Sequence, residues 1–400
     1  SAASDVYKRQ EQFNEHVMQT YGRIGLVMES GHGQTAVGED GKEYIDFGSG
    51  IGTNSLGYCD EDWVNAICEQ AHKIQHTSNY YYTKVQADFA KRLCEATGYE
   101  KMFFGNSGAE ANECAIKLAR KYSFDKYGKD AERNIIITLV NSFHGRTLCT
   151  LSATGQEVFH NYFFPFVGGF ENVIANDIDD LMDKLNKLDN KVCAVMFEFV
   201  QGEGGVIPLQ QSFVNTIMLE CAKRDILTIA DEVQTGVGRT GKLLTSELYN
   251  VKPDITTLAK GLAGGVPIGV CLANKKCSEV LGKGTHGSTF GGNPISCAGG
   301  NAVLDKVTKP EFLEEVRKKG EYFREKLVQI DEVEGVDGLG LMIGVRLKTK
   351  KAANVLNKCF ENGLLILTAK DKLRFLPPLN ISYEQIDKGL AILKKVLDEK

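Results

Sequence analysis

The sequence has no C-x-x-C pair, although its 400 residues include eleven cysteines. Without thiols at that spacing, a zinc site or a thioredoxin-like redox motif has no support. The cysteines are odd in number, scattered, and mostly set in apolar context. They are expected to be small buried hydrophobes in a reducing, cytoplasmic compartment. An excess of positive charge is also missing: 47 basic residues stand against 52 acidic ones, net −5. That excludes a general nucleic-acid binder, which needs a basic face. Long apolar runs are absent too. The longest uncharged stretch, residues 284–304, is filled with Gly, Ser, Thr and Asn, so no membrane helix is expected. The first ten residues, SAASDVYKRQ, lack the apolar core of a secretory signal. No G-x-G-x-x-G follows a strand-like run, which disfavours a nicotinamide enzyme. What remains is an ordinary globular balance, 42% hydrophobic and 25% charged, enough to bury a large core.

The middle of the chain alternates short apolar runs with amphipathic stretches. Residues 134–140 (NIIITLV), 192–197 (VCAVMF) and 226–230 (ILTIA) are continuous and rich in β-branched side chains. They read as strands buried on both faces, the pattern of a parallel sheet. Residues 179–188 and 211–224 have helical spacing, so an α/β sheet with helices on both faces is expected. The tail differs. A charged helix over 310–328 is followed by strand-like runs at 341–347 and 364–368 and a last helix over 383–397, as in a smaller α+β domain. Near the start, 35–37 and 43–47 flank the turn Glu39-Asp40-Gly41 and read as a hairpin. These shifts put boundaries near 55 and 300.

Three motifs carry chemistry. In Gly105-Asn106-Ser107-Gly108-Ala109-Glu110-Ala111, Ser107 and Glu110 have capping-box spacing ahead of an amphipathic helix. A helix start preceded by small residues can take an anion. Asp231 falls where a buried strand ends, the edge at which open α/β sheets bind ligands. Lys260 is the only charged residue between 255 and 274. Desolvation there would keep its amine neutral and nucleophilic. Each alone has an ordinary reading: a helix cap, an aspartate capping a turn, a lysine snorkelling to water. Together they match the needs of pyridoxal 5′-phosphate, whose phosphate needs N–H donors, whose aldehyde needs an amine and whose ring nitrogen needs a carboxylate.

The ordered motifs GNSGAEA, SFHGRT, QGEGG, DEVQTGVGRTG, LAKGLAGGVPIG, HGSTFGGNP and LRFLPPL span nearly the whole chain. In that order they resemble the class III aminotransferases of the fold-type-I pyridoxal-phosphate superfamily. Within these, the chain looks most like those acting on N-acetylornithine. The resemblance implies a large domain with a mostly parallel sheet over 56–300. It also implies a small α+β domain built from 301–400 with help from 1–55, and a homodimer with shared active sites. It implies Lys260 as the Schiff-base lysine, Asp231 as partner of the ring nitrogen, and Ser107, Gly108 and Ala109 as the phosphate cradle. Phe143 is similar to the aromatic that stacks on the ring, with His144 and Val233 in the same motifs. Gln234 resembles the residue near the ring hydroxyl. Ser288 and Thr289 look like the pair reaching the phosphate from the other subunit.

For substrate, Arg374 resembles the arginine that forks an α-carboxylate, Arg146 a second carboxylate-binding arginine, and Glu203 the carboxylate that switches Arg374. The implied reaction moves the ω-amino group of N-acetylornithine to 2-oxoglutarate, giving N-acetylglutamate 5-semialdehyde and glutamate, a step of arginine biosynthesis. The alternative donors are ornithine, succinylornithine, 4-aminobutyrate or a diamine. Ornithine-specific relatives tend to carry a Tyr near Gly50-Ile51, absent here. Phe199, Tyr58 and Lys84-Val85 depart from the usual pattern.

Overall fold

A computed structural model describes residues 2–399. The apolar runs form the interior of one seven-stranded sheet. Its spatial order is Lys101–Gly105, Gly269–Ala273, Ile255–Leu258, Leu227–Asp231, Val192–Phe197, Ile135–Leu139 and Phe170–Val173. The last five run parallel to one another. Gly269–Ala273 is antiparallel to both neighbours. Every residue of Val192–Phe197, Leu227–Asp231, Ile255–Leu258 and Gly269–Ala273 is buried, and the first two correspond to apolar runs read from the sequence.

Helices cover both faces. The helix Gly108–Tyr127 buries Ala111, Ala115, Leu118, Ala119 and Tyr122, the stripe its spacing predicts. These pack with Ile136, Met196 and Ile229. On the opposite face, Ile137, Val195 and Phe197 meet Leu181 and Leu185 of the helix Ile178–Leu188 and Phe213 and Ile217 of the helix Gln211–Arg224. Each such side chain, fully buried, contributes roughly 1.5–3 kcal/mol. Among the described residues, no helix is long and apolar enough to cross a membrane.

Two smaller sheets bring the ends of the chain together. The expected hairpin is present as Thr35–Gly38 against Glu43–Asp46. It gains an edge strand, Met28–His32, that the sequence does not announce because it is polar and largely exposed. The run 364–368 is not one strand. Leu364–Leu365 pairs in parallel with Ile45–Asp46, then Leu367–Ala369 joins a different sheet beside Lys372–Phe375. A two-residue strand that hands the chain to another sheet leaves no period to read. Lys42 Nζ donates to the carbonyl of Glu361 across the first sheet. Phe47 packs edge-on against Phe323 and Phe375, at 5.0 and 5.6 Å between centroids.

Candidate active site

A cavity of about 450 Å3 opens beyond the carboxyl ends of the parallel strands, where α/β sheets place ligands. Strand ends supply its charged wall. Asp231 closes Leu227–Asp231, Glu198 follows Val192–Phe197, and Lys260 lies two residues past Ile255–Leu258.

Asp231 is held from three sides. Its Oδ2 accepts from Asn112 Nδ2 at 2.9 Å and lies 2.7 Å from His144 Nδ1. Its Oδ1 accepts from the Val233 amide at 3.0 Å. The same carboxylate caps the turn and lines the cavity. Asn112 also donates to the carbonyl of His144 at 2.8 Å and accepts from Thr257 Oγ1 at 2.7 Å. One amide thus fixes the aspartate, the loop after Ile135–Leu139 and the neighbouring strand.

Lys260 has a left-handed backbone, φ 42°, a strained conformation for a residue with a side chain. Burial pushes its amine below the usual lysine range, opposed by the nearby carboxylates of Glu203, Asp231 and Glu198. Glu198 is pushed the other way. Burial first, and then the charge of Asp231, raise its carboxyl well above the usual range. Its Oε1 accepts from the Phe143 amide at 2.9 Å and its Oε2 from the Gly202 amide at 3.3 Å. It thereby ties the loop of Phe143 to the loop of Glu203.

The helix Gly108–Tyr127 begins on the cavity wall with Ser107, Gly108 and Ala109. Ser107 Oγ accepts from the Glu110 amide at 3.2 Å. The return arm of the expected box goes one residue further, from the Asn106 amide to Glu110 Oε2 at 3.0 Å. The first-turn amides have no intrahelical acceptor, and a small-residue approach leaves them open to an anion.

Glu203 and Arg374 meet across 171 residues, Arg374 Nη1 donating to Glu203 Oε1 at 2.7 Å. Arg374 is 3% exposed and its Nε has no partner among the described residues. Gln234 Oε1 lies 3.4 Å from the same Nη1. Arg146 is exposed at the cavity, its guanidinium 4.0 Å from the Phe159 ring centre and 5.6 Å from that of Phe143.

Of the residues singled out in the sequence, Ser107, Gly108, Ala109, Phe143, His144, Arg146, Glu203, Asp231, Val233, Gln234 and Lys260 line one cavity. Arg374 reaches it through Glu203. Ser288 and Thr289 do not line it; Ser288 is half-buried and Thr289 exposed on a separate loop. Phe199, the departure that could have reshaped the pocket, is instead fully buried and stacks on Tyr249 at 4.8 Å. Asn112, Glu198 and Thr53 are cavity residues that motif reading missed. Two had a signal: Asn112 interrupts an otherwise apolar helix stripe, and Glu198 ends an apolar run as Asp231 does. Thr53 had none. It follows a left-handed turn in which Ser49, Gly50, Ile51 and Gly52 have φ of 44, 62, 59 and 73°. Glycine adopts that region freely, whereas a β-branched Ile51 is held there only by its surroundings. Here the amides of Gly48 and Ser49 both donate to Asp46 Oδ1, and Ser49 Oγ donates to the Leu376 carbonyl.

Comparison with known proteins gives this geometry a family. Residues 17–397 match the model of the aminotransferase class-III family. The acetylornithine aminotransferase of Haemophilus ducreyi is 51% identical over 385 residues, covering 96% of this chain and 97% of that protein. That of Caldanaerobacter subterraneus subsp. tengcongensis is 47% identical, covering 96% and 98%. Among solved structures, the ornithine aminotransferase of Toxoplasma gondii ME49 superposes with a TM-score of 0.93 at 31% identity, covering 98% of this chain and 94% of that one. The N-acetylornithine aminotransferase of Stenotrophomonas maltophilia K279a gives 0.83 at 35%, covering 96% and 97%. The chain belongs to the class-III aminotransferases.

Proposed function

We propose that this aminotransferase takes the ω-amino group of N-acetylornithine and passes it to 2-oxoglutarate, with pyridoxal 5′-phosphate seated in the cavity described above. The donor set suits that group: open amides at a helix start for a phosphate, a hydrogen-bonded carboxylate for a ring N–H, a buried amine and an aromatic face. Bound there, the cofactor supplies a carbonyl that accepts an amine and a ring that draws off electrons.

The chain's own residues do the rest. Lys260 Nζ, whose charged form burial disfavours, would take the proton from the amine-bearing carbon of the donor and, in the second half of the cycle, give one to the α-carbon derived from 2-oxoglutarate. Asp231, oriented by Asn112 and His144, would hold the proton on the ring nitrogen. Phe143 and Val233 would clasp the ring, and Gln234 its hydroxyl.

The single observation that carries the substrate assignment is the Arg374–Glu203 pair. An ω-amine donor brings no α-carboxylate to the reacting end, so the pair stays closed and Arg374 is neutralised. 2-Oxoglutarate does bring one, so Glu203 swings away and the guanidinium forks the carboxylate. Arg146, exposed at the cavity, takes the other carboxylate. Ornithine is the second reading, favoured by the TM-score of 0.93 to an ornithine aminotransferase. Backbone placement is common to a fold, whereas side chains set substrate choice. Identity near 50% to acetylornithine aminotransferases therefore weighs more.

The same reading makes the protein a cytoplasmic homodimer, with 1–55 and 301–400 forming a small domain on the large domain 56–300. Ser288 and Thr289 would then reach the partner's phosphate. Tyr80, Tyr81 and Tyr82, next to the Asn79 that bonds the Ser288 carbonyl, are 92, 71 and 104% exposed, a surface suited to a second copy.

The test is spectral. Adding pyridoxal phosphate should give a visible band that Lys260→Ala alters. N-acetylornithine alone should bleach it and 2-oxoglutarate restore it. Bleaching by ornithine but not by N-acetylornithine would overturn the donor and leave the family untouched.

A further inference from the structure

The loop carrying Ser288 and Thr289 is tied at both ends. Lys117 Nζ donates to the Thr285 carbonyl at 3.2 Å and sits 2.8 Å from His286 Nδ1. The His286 ring packs on Phe103, with centroids 4.5 Å apart. At the other end, Asn79 Nδ2 donates to the carbonyls of Ser288 and Gly291, at 3.0 and 2.9 Å. Gln86 Nε2 donates to Asn79 Oδ1 and to the Gly292 carbonyl, both at 3.1 Å. The loop presses on the strand Lys101–Gly105 so closely that a Cβ on Gly291 would stand 2.1 Å from the Phe104 carbonyl oxygen. Between residues 285 and 292 only Gly287, Thr289 and Phe290 are exposed.

One side chain joins this seat to the cavity. Asn106 lines the cavity beside Ser107. Its Nδ2 donates to Glu110 Oε1 at 2.9 Å and to Ser288 Oγ at 3.2 Å. Glu110 Oε2 accepts both the Asn106 amide and Ser107 Oγ at 3.0 Å. Glu110 is therefore shared between the helix start and Asn106, and Asn106 is shared between Glu110 and Ser288. An anion at the helix start draws on Ser107 and the first-turn amides, so it acts on the group that fixes Asn106. A hydrogen-bonded unit of this kind has few independent positions.

We propose that Asn106 is a positioning residue that couples the two cofactor sites of the dimer. Filling a chain's own phosphate cradle fixes Asn106, and Asn106 fixes the Ser288 arm that the chain lends to its partner's phosphate. This rests on the reading that Ser288 crosses to the partner. The first cofactor then bears the cost of ordering both arms, and the second binds to a site already arranged. The reciprocity of linkage makes the effect the same whichever site fills first.

The experiment strips the holoenzyme and retitrates it with pyridoxal phosphate, following absorbance rather than turnover. Wild type should bind the second equivalent about fivefold tighter than the first, the lower end of ordinary site-to-site coupling. Asn106→Ser should give two equal sites. Asn106→Asp, of the same shape but without the N–H donor, should do the same and serves if the serine variant does not fold. A residue that only builds its own loop would weaken binding and leave the coupling intact, so that result overturns the proposal, as would equal sites in wild type. Ser288→Ala tests the underlying reading: it should weaken both sites, and unchanged affinity would overturn the cross-subunit arm and the coupling with it.

Discussion

Glu203 Oε1 and Arg374 Nη1 are 2.7 Å apart, yet the two partners are unequally placed: the Glu203 side chain is 31% exposed and that of Arg374 only 4%. The arginine is fixed in a buried strand and the glutamate stands on a loop at the cavity. On the switch proposed above, the carboxylate is the part that would move.

Glu203→Gln leaves the arginine permanently available. KM for glutamate should fall or hold, while KM for N-acetylornithine should rise about tenfold, equivalent to ~1.4 kcal/mol. That is a modest figure because the pair is partly solvated. Half-reaction titrations with each amine, run separately, measure both changes. Equal changes for the two amines would remove the switch.

Lys260→Ala removes the only amine among the described residues that line the cavity. Turnover should drop by about 10⁴-fold, the upper range for general acid–base catalysis. Cofactor retention on a desalting column should fall too. Because burial lowers the Lys260 pKa, capture of pyridoxal phosphate by the cofactor-free protein, which needs the neutral amine, should have its pH midpoint below that of an ordinary lysine. A midpoint at the ordinary position would mean that another group governs capture.

Glu198 gives a prediction in stability. Its folded carboxyl titrates above the usual range, because of burial and the neighbouring Asp231. The folded state therefore holds a proton that the unfolded state has released. That contribution is fully present below the ordinary carboxylate pKa, and it is lost as pH rises through the folded value. Glu198→Gln cannot titrate. The Tm of wild type relative to this variant should fall as pH rises, in scans from pH 5 to 9. A constant difference would mean that Glu198 is ionised throughout.

Asn112→Ala strips a donor from Asp231 and leaves the Thr257 hydroxyl and the His144 carbonyl unpaired in a buried place. The loss should be about 2–3 kcal/mol of stability, the cost of orphaned buried polar groups. Cofactor affinity should weaken with it. Denaturant midpoints with and without pyridoxal phosphate separate the two. The cofactor's stabilising increment should shrink in the variant.

The sequence made the central sheet legible because its strands are buried on both faces, so Val192–Phe197 is spelled without a polar letter. Met28–His32 was invisible for the opposite reason: an edge strand in water needs no apolar signal. The site divided in the same way. Asp231 and Lys260 could be picked out because charge in an apolar stretch is costly and so conspicuous. Arg374 and Glu203 lie in unremarkable local contexts 171 residues apart, and only the resemblance of their motifs brought them together. Asn112 was passed over because an asparagine on a helix face is common; only the fold shows that it touches a strand end, a loop and a neighbouring strand at once.

The pairing of Glu43–Asp46 with Leu364–Leu365 also governs how the protein is made. Lys42 and Glu361, which bond across that sheet, are 319 residues apart in the chain. At about 5–20 residues per second of synthesis, an emerged Ile45 waits roughly 15–60 s for its neighbour. Phe47 waits nearly as long for Phe375. During that interval a nascent chain presents the unpaired edge of Glu43–Asp46 while its large central sheet is still being built. The time of exposure is set by translation rate, so slowing the ribosome late in the message lengthens the period in which the chain can pair with the wrong partner.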